Sequence, residues 1–196
     1  GLDQKTKELL VAPADNVTNF EGIQFLVENP YWEGAKISLY SAGEESIASM
    51  PNIKVGKFIT QVILQNIEVE DIDLSNATDL RSAWVQNNPA LQKLDLSYST
   101  IWGQGDKETE GNGTYGSSLM VLGCPILKEI KLPEKNELKA YRIDIECLDA
   151  LETFDMSNVK MVAELSIGDL NKDFNLVYPE LTIFYSEDGY AGTYFA

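Results

Sequence analysis

The groups in this sequence best spaced to act together are carboxylates. "VEDIDLS", "LQKLDLS", "LKEIKLP" and "LETFDMS" put Asp73, Asp95, Lys131 and Asp155 at the same place in four similar segments. They are flanked by Asp71, Lys93, Glu129 and Thr153 on one side and by Ser75, Ser97, Pro133 and Ser157 on the other. Stacked as neighbouring strands, Asp73 and Asp95 would stand at roughly 4.8 Å spacing, where bare carboxylates repel. That is near the ~5–5.5 Å separation of a retaining glycosidase pair. A polar strip for a hydroxyl-rich glycan or a basic peptide is another reading, and an ordinary solvated face is the plainest.

A second group is aromatic and basic. Trp84, Arg142 and Ser166 fall at outward positions of another set of segments, with Ile63 above them. Aromatic faces stack on sugars, and Trp and Arg favour interfaces, so this is a candidate binding platform. Tyr98, Trp102 and Tyr115 border a Gly-rich polar stretch, and either pack its hinge or contact a ligand. Within it Asp106, Glu108, Glu110 and Gly111 echo the start of a calcium loop, but the twelfth position is Ser117, where a bidentate Glu is required. Weak Ca2+ binding is one reading and a solvated loop the other.

Other chemistry is excluded by composition. The chain has no His, which removes Ser-His-Asp, Cys-His and His-metal arrangements. Its 31 acidic residues against 15 basic ones give a net charge of -16 over 196 residues, a field that repels nucleic acid and anionic lipid. No apolar run is long enough to span a bilayer as a helix. No nucleotide-binding glycine spacing occurs, and no cofactor is expected. The two cysteines, Cys124 and Cys147, are expected to be equivalent, buried and unpaired.

The elements that must position these groups are set by recurrence. Val69, Ile72, Leu74; Leu91, Leu94, Leu96; Leu127, Ile130, Leu132; and Leu151, Phe154, Met156 form a main apolar ladder preceded by Asn66, Asn88, Cys124 and Cys147. A degenerate last copy is expected at Leu181 and Phe184. First anchors are 22 residues apart from Val69 to Leu91 and 24 from Leu127 to Leu151. The 36 residues from Leu91 to Leu127 hold one repeat plus an inserted loop over 102–118. A weaker ladder lies halfway between: Ile59, Val62, Leu64; Leu80, Ala83, Val85; Leu138, Tyr141, Ile143; and Val162, Leu165, Ile167. Alternation puts these side chains inward, and one such unit cannot enclose its own apolar face, so the turns must stack.

This pattern resembles the leucine-rich repeat family, and "CPILKEIKLPEKNELKAYRIDIEC" is most similar to its BspA-like bacterial surface-antigen subtype. The expected fold is a β-rich solenoid, a right-handed leucine-rich repeat superhelix of about five or six turns with N- and C-terminal caps. Residues 1–50 are expected to be the N-terminal cap, with one helical turn in "KTKELLVAP" and a strand in "GAKISLYS". Residues 51–186 would be the solenoid, and 187–196 a tail or cap. The resemblance implies export and display outside a bacterial cell, with a lipid anchor on a removed N-terminal segment as one route. The function expected is non-enzymatic recognition or adhesion toward a protein or glycan. A carbohydrate-active enzyme using paired carboxylates is the alternative. The candidate binding residues are Asp73, Lys93, Asp95, Lys131, Asp155, Trp84, Arg142, Trp102 and Tyr115.

Overall fold

The computed structural model describes residues 2–3, 8–11, 35–41, 48–100, 102, 117–134, 138–178, 183–184 and 192–195. These residues form a β-solenoid of about five turns with stacked parallel strands and, among them, no helix. Each turn contributes two strands because each repeat carries two apolar segments separated by a corner.

One strand of each turn enters a continuous sheet. It holds β1 (Leu2–Asp3), β2 (Glu8–Val11), β3 (Ala35–Tyr40), β5 (Ile59–Gln65), β7 (Ser82–Gln86), β9 (Ser118–Leu122), β11 (Leu138–Leu148) and β13 (Val159–Leu170) in that order. β15 (Ile183–Phe184) and β16 (Gly192–Phe195) both pair with β13. All pairings are parallel except β1 with β2. The opposite side is discontinuous. β4 (Ala48–Lys54) pairs with β6 (Ile67–Asp73), β8 (Lys93–Asp95) with β10 (Glu129–Lys131), and β12 (Thr153–Asp155) with β14 (Asn175–Val177).

The core lies between the two sides. Every anchor from Val69 to Met156 in the main ladder is buried, as are the weaker-ladder anchors apart from Tyr141. The two ladders exchange rank, however. The better-marked one forms short strand pairs, while the weaker one forms the continuous sheet. Tyr141 points out and is 38% exposed, and Ala140 is the buried residue beside it. Phe184 pairs with Val162 in the continuous sheet, so the last copy of the main ladder is Asn175–Val177 instead.

Each turn bends at one left-handed residue. Asn66, Asn87, Gly123, Cys147 and Asp169 all have φ between 48° and 63°. Asn, Asp and Gly accept this conformation readily, whereas Cys147 carries an ordinary β-carbon into it. The next residues, Ile67, Asn88, Cys124 and Leu148, are buried. Cys124 and Cys147 are therefore one position out of step. Both thiols are free, but Cys124 is buried and Cys147 exposed, against the expectation of two buried equivalents.

Asn88 shows how a buried polar corner is satisfied. Its Oδ1 accepts from the N–H groups of Val69 at 3.3 Å, Ala90 at 3.1 Å and Leu91 at 3.1 Å, tying one turn to the previous one. Cys124 fills the equivalent place as a small apolar side chain, and burial pushes its thiol up to about 11.

Strands also lie outside residues 51–186. β2 is a strand rather than a helical turn, and with β3, the strand expected in "GAKISLYS", it extends the parallel sheet into residues 1–50, where Ile37 and Leu39 are buried. β16 brings residues 192–195 into the same sheet. The inserted loop is also shorter than expected. Trp102 is fully buried, its N–H donating to Ser99 Oγ at 2.8 Å, and Ser118 already belongs to β9.

Candidate functional site

The outward carboxylates of the short strands are engaged in turns. Asp73 Oδ1 accepts from the N–H of Ser75 at 3.0 Å and its hydroxyl at 2.6 Å. Asp95 Oδ1 does the same with Ser97 at 3.0 and 2.5 Å, and Asp155 Oδ1 accepts the Ser157 N–H at 2.9 Å. Each Asp-x-Ser is an Asx turn that ends its strand. The one copy with Lys131 has Pro133 two residues on, which offers no N–H for a carboxylate to accept.

The register also separates Asp73 from Asp95. Asp73 pairs with Lys54 and Asp95 with Lys131, in different two-stranded sheets. Lys54 Nζ lies 3.4 Å from Asp73, and Lys93 Nζ bridges Asp95 at 3.4 Å and Glu129 at 3.2 Å. The Ser75 hydroxyl and N–H hold the Asp73 carboxyl below its usual value, with Lys54 adding to this. At Asp95 burial pushes upward, but the two Ser97 donors and Lys93 outweigh it and leave the carboxyl low. Neither group is poised as a proton donor near neutral pH. Between β10 and β12, where the short strands do not pair, lies an open cleft of about 490 Å3 lined by Lys128, Glu129, Lys131, Glu152, Thr153 and Asp155.

The continuous sheet presents a different surface. Its side chains on the side away from the core form rows across the strands, fixed by register, and Ser38, Gln61, Ser82 and Ser118 among them are buried. One row runs Ser38, Ile63, Trp84, Met120, Asp144, Ser166. The row beside it runs Lys36, Gln61, Ser82, Ser118, Arg142, Glu164. Ile63, Trp84 and Met120 are half-buried neighbours, an apolar strip about 10 Å long at strand spacing. Arg142 is one row over from Trp84 rather than in line with it, and Asp144 occupies the place expected for Arg142.

Polar contacts crowd the end of this strip. Arg142 Nη2 meets Asp144 Oδ2 at 2.6 Å, and Arg142 Nη1 lies 3.7 Å from Glu164. The Tyr141 hydroxyl donates to Glu164 Oε1 at 3.3 Å, and Ser166 Oγ donates to Glu146 Oε1 at 2.7 Å. Asp144 is almost wholly buried, and its Oδ1 has no partner. No family model, curated protein or solved structure matches this chain.

Of the residues singled out by spacing, Trp84 and Arg142 fall on this one face, whereas Asp73, Lys93, Asp95, Lys131 and Asp155 lie on the short-strand side. Trp102 is fully buried among the core residues. Tyr115, Asp106, Glu108 and Glu110 lie outside the described residues. Among those described, no group of three Cys, Asp or Glu is arranged to hold a metal ion. Met120, Asp144, Glu146 and Glu164 were missed. A signal existed: "SAWVQ" and "SLMVL" share Ser first and Val fourth, which aligns Trp84 with Met120 across the insertion.

Proposed function

We propose that this chain is a non-enzymatic recognition module displayed outside a bacterial cell, and that it meets a protein or glycan partner on the outward face of the continuous sheet. The observation that carries the choice of face is the half-buried row Ile63, Trp84, Met120, bordered by Arg142, Tyr141 and Glu164. An aromatic and apolar strip with hydrogen-bonding groups at its edge is suited to stack on a sugar ring or to seat a side chain. Export and bacterial display rest on the likeness of the repeat to surface-antigen leucine-rich repeats. The non-enzymatic reading is supported by Asp73 and Asp95, which are held low and bound within their own turns.

Screening the whole chain against arrayed glycans and purified surface proteins tests the reading, with Trp84→Ala as the comparison. Saturable binding weakened at least tenfold by the substitution, with unchanged circular dichroism, is the expected result. Binding indifferent to Trp84, or glycan hydrolysis that depends on Asp95, would overturn it.

A further inference from the structure

Asp144 sits in the middle of the outward face with an unfinished set of hydrogen bonds. Only 4% of it is exposed; Oδ2 takes the Arg142 guanidinium at 2.6 Å, and Oδ1 is buried without a donor. A buried acceptor left in this condition is destabilising, more so when it is charged. Among the described residues, the following groups face it from the two neighbouring strands. β9 contributes Ser118, Met120 and Leu122, none of them ionisable. β13 contributes Glu164, Ser166 and Gly168. On β11 itself Arg142 and Glu146 lie two residues to either side, on the same face.

Those partners are already assigned. Ser166 gives its hydroxyl hydrogen to Glu146, and Arg142 is divided between Asp144 and Glu164, which also accepts from Tyr141. Among the described residues, three carboxylates, Asp144, Glu146 and Glu164, face Arg142, which leaves a local charge of −2.

We propose that Asp144 and Glu146 form a proton-binding pair, in which one proton on Asp144 Oδ1, donated to the Glu146 carboxylate, completes the hydrogen bonding of this face. The proton comes from solvent, no other bond is made or broken, and the local charge moves from −2 to −1. Burial pushes the Asp144 carboxyl above its ordinary value; Arg142 pulls it back and Glu146 adds to the rise. The folded state therefore binds this proton more tightly than the unfolded chain does. The stabilisation it brings is present in acid and is lost as pH rises through the raised value.

The test is a carboxyl 13C NMR titration of the whole chain. Asp144 should titrate at higher pH than aspartate in a short peptide, with a simultaneous displacement of the Glu146 resonance. Glu146→Gln should move the Asp144 midpoint down. Asp144→Asn, which carries a permanent donor, should match the wild-type thermal midpoint in acid and exceed it at neutral pH. An Asp144 midpoint at or below the peptide value would overturn the proposal, as would a midpoint insensitive to Glu146→Gln. The wild-type titration decides the matter even if a variant fails to fold. It is also independent of whether any glycan or protein binds Trp84.

Discussion

Asn88→Ala tests whether the buried corner is held by hydrogen bonds or by packing. The wild-type carboxamide accepts from three backbone N–H groups at 3.1, 3.1 and 3.3 Å, one of them on the preceding turn. At about 1 kcal/mol net for each of the shorter bonds and less for the longest, the direct loss is about 2–3 kcal/mol. Two further contributions oppose one another. Asn88 Nδ2 has no partner, so deleting it recovers about 1 kcal/mol, while the buried N–H of Leu91 loses its acceptor at a similar cost. The expected loss is therefore about 2–3 kcal/mol. With a urea slope of roughly 2 kcal/mol/M, the midpoint falls by about 1–1.5 M at unchanged slope. Asn88→Leu is the informative companion, because Leu148 fills the corresponding place in a later turn. If hydrogen bonds hold the corner, Leu is as damaging as Ala. A loss under about 0.5 kcal/mol for Ala, or full recovery with Leu, would refute the reasoning.

Three further outcomes follow from the corners and strand ends. Gly123→Ala puts a β-carbon 2.5 Å from Asn87 Oδ1 at φ +63°, and should lower stability by about 1–2 kcal/mol in thermal melts. Cys147→Gly relieves the one poorly suited left-handed residue and should raise it by about 0.5–1 kcal/mol. Ser97→Ala removes a hydroxyl donor from Asp95, a carboxyl held low in the folded chain. Its stabilising effect is present above the ordinary aspartate range and is lost as pH falls through the lowered value. The variant should therefore be less stable than wild type at neutral pH by about 1 kcal/mol, with the gap closing in strong acid, as read by chemical denaturation across pH.

The solenoid was legible because burial imposes alternation. Leu94 and Leu96 could only be repeatedly apolar, two apart and preceded by the same pattern 22 residues earlier, if successive turns shared a core. The rank of the two sides was not legible. The main ladder is strongly marked because its Asx turns also repeat, as Asp73, Ser75, Asp95, Ser97, Asp155 and Ser157 show. That turn chemistry ends each strand early. The continuous sheet is weakly marked because its outward residues do not repeat. Tyr141 was misplaced for the same reason: an aromatic residue beside Ile143 in sequence looks like core, whereas in the fold it is exposed and its hydroxyl reaches Glu164.

The candidate face divides along the same line. The residue types were local information: no His, an excess of carboxylates, a Trp and an Arg at spacings compatible with one surface. The sequence also determined that the turns stack, since each repeat lacks the bulk to bury its own apolar side. Which residues become neighbours was a non-local matter, decided when pairing joined segments separated by an insertion. Pairing set Met120 beside Trp84, and Asp144 between Met120 and Ser166, because a shift of one residue would have turned Ile143 and Ile145 out to solvent. The buried carboxyl next to Glu146 follows from that choice of register, and from nothing in its own stretch of chain.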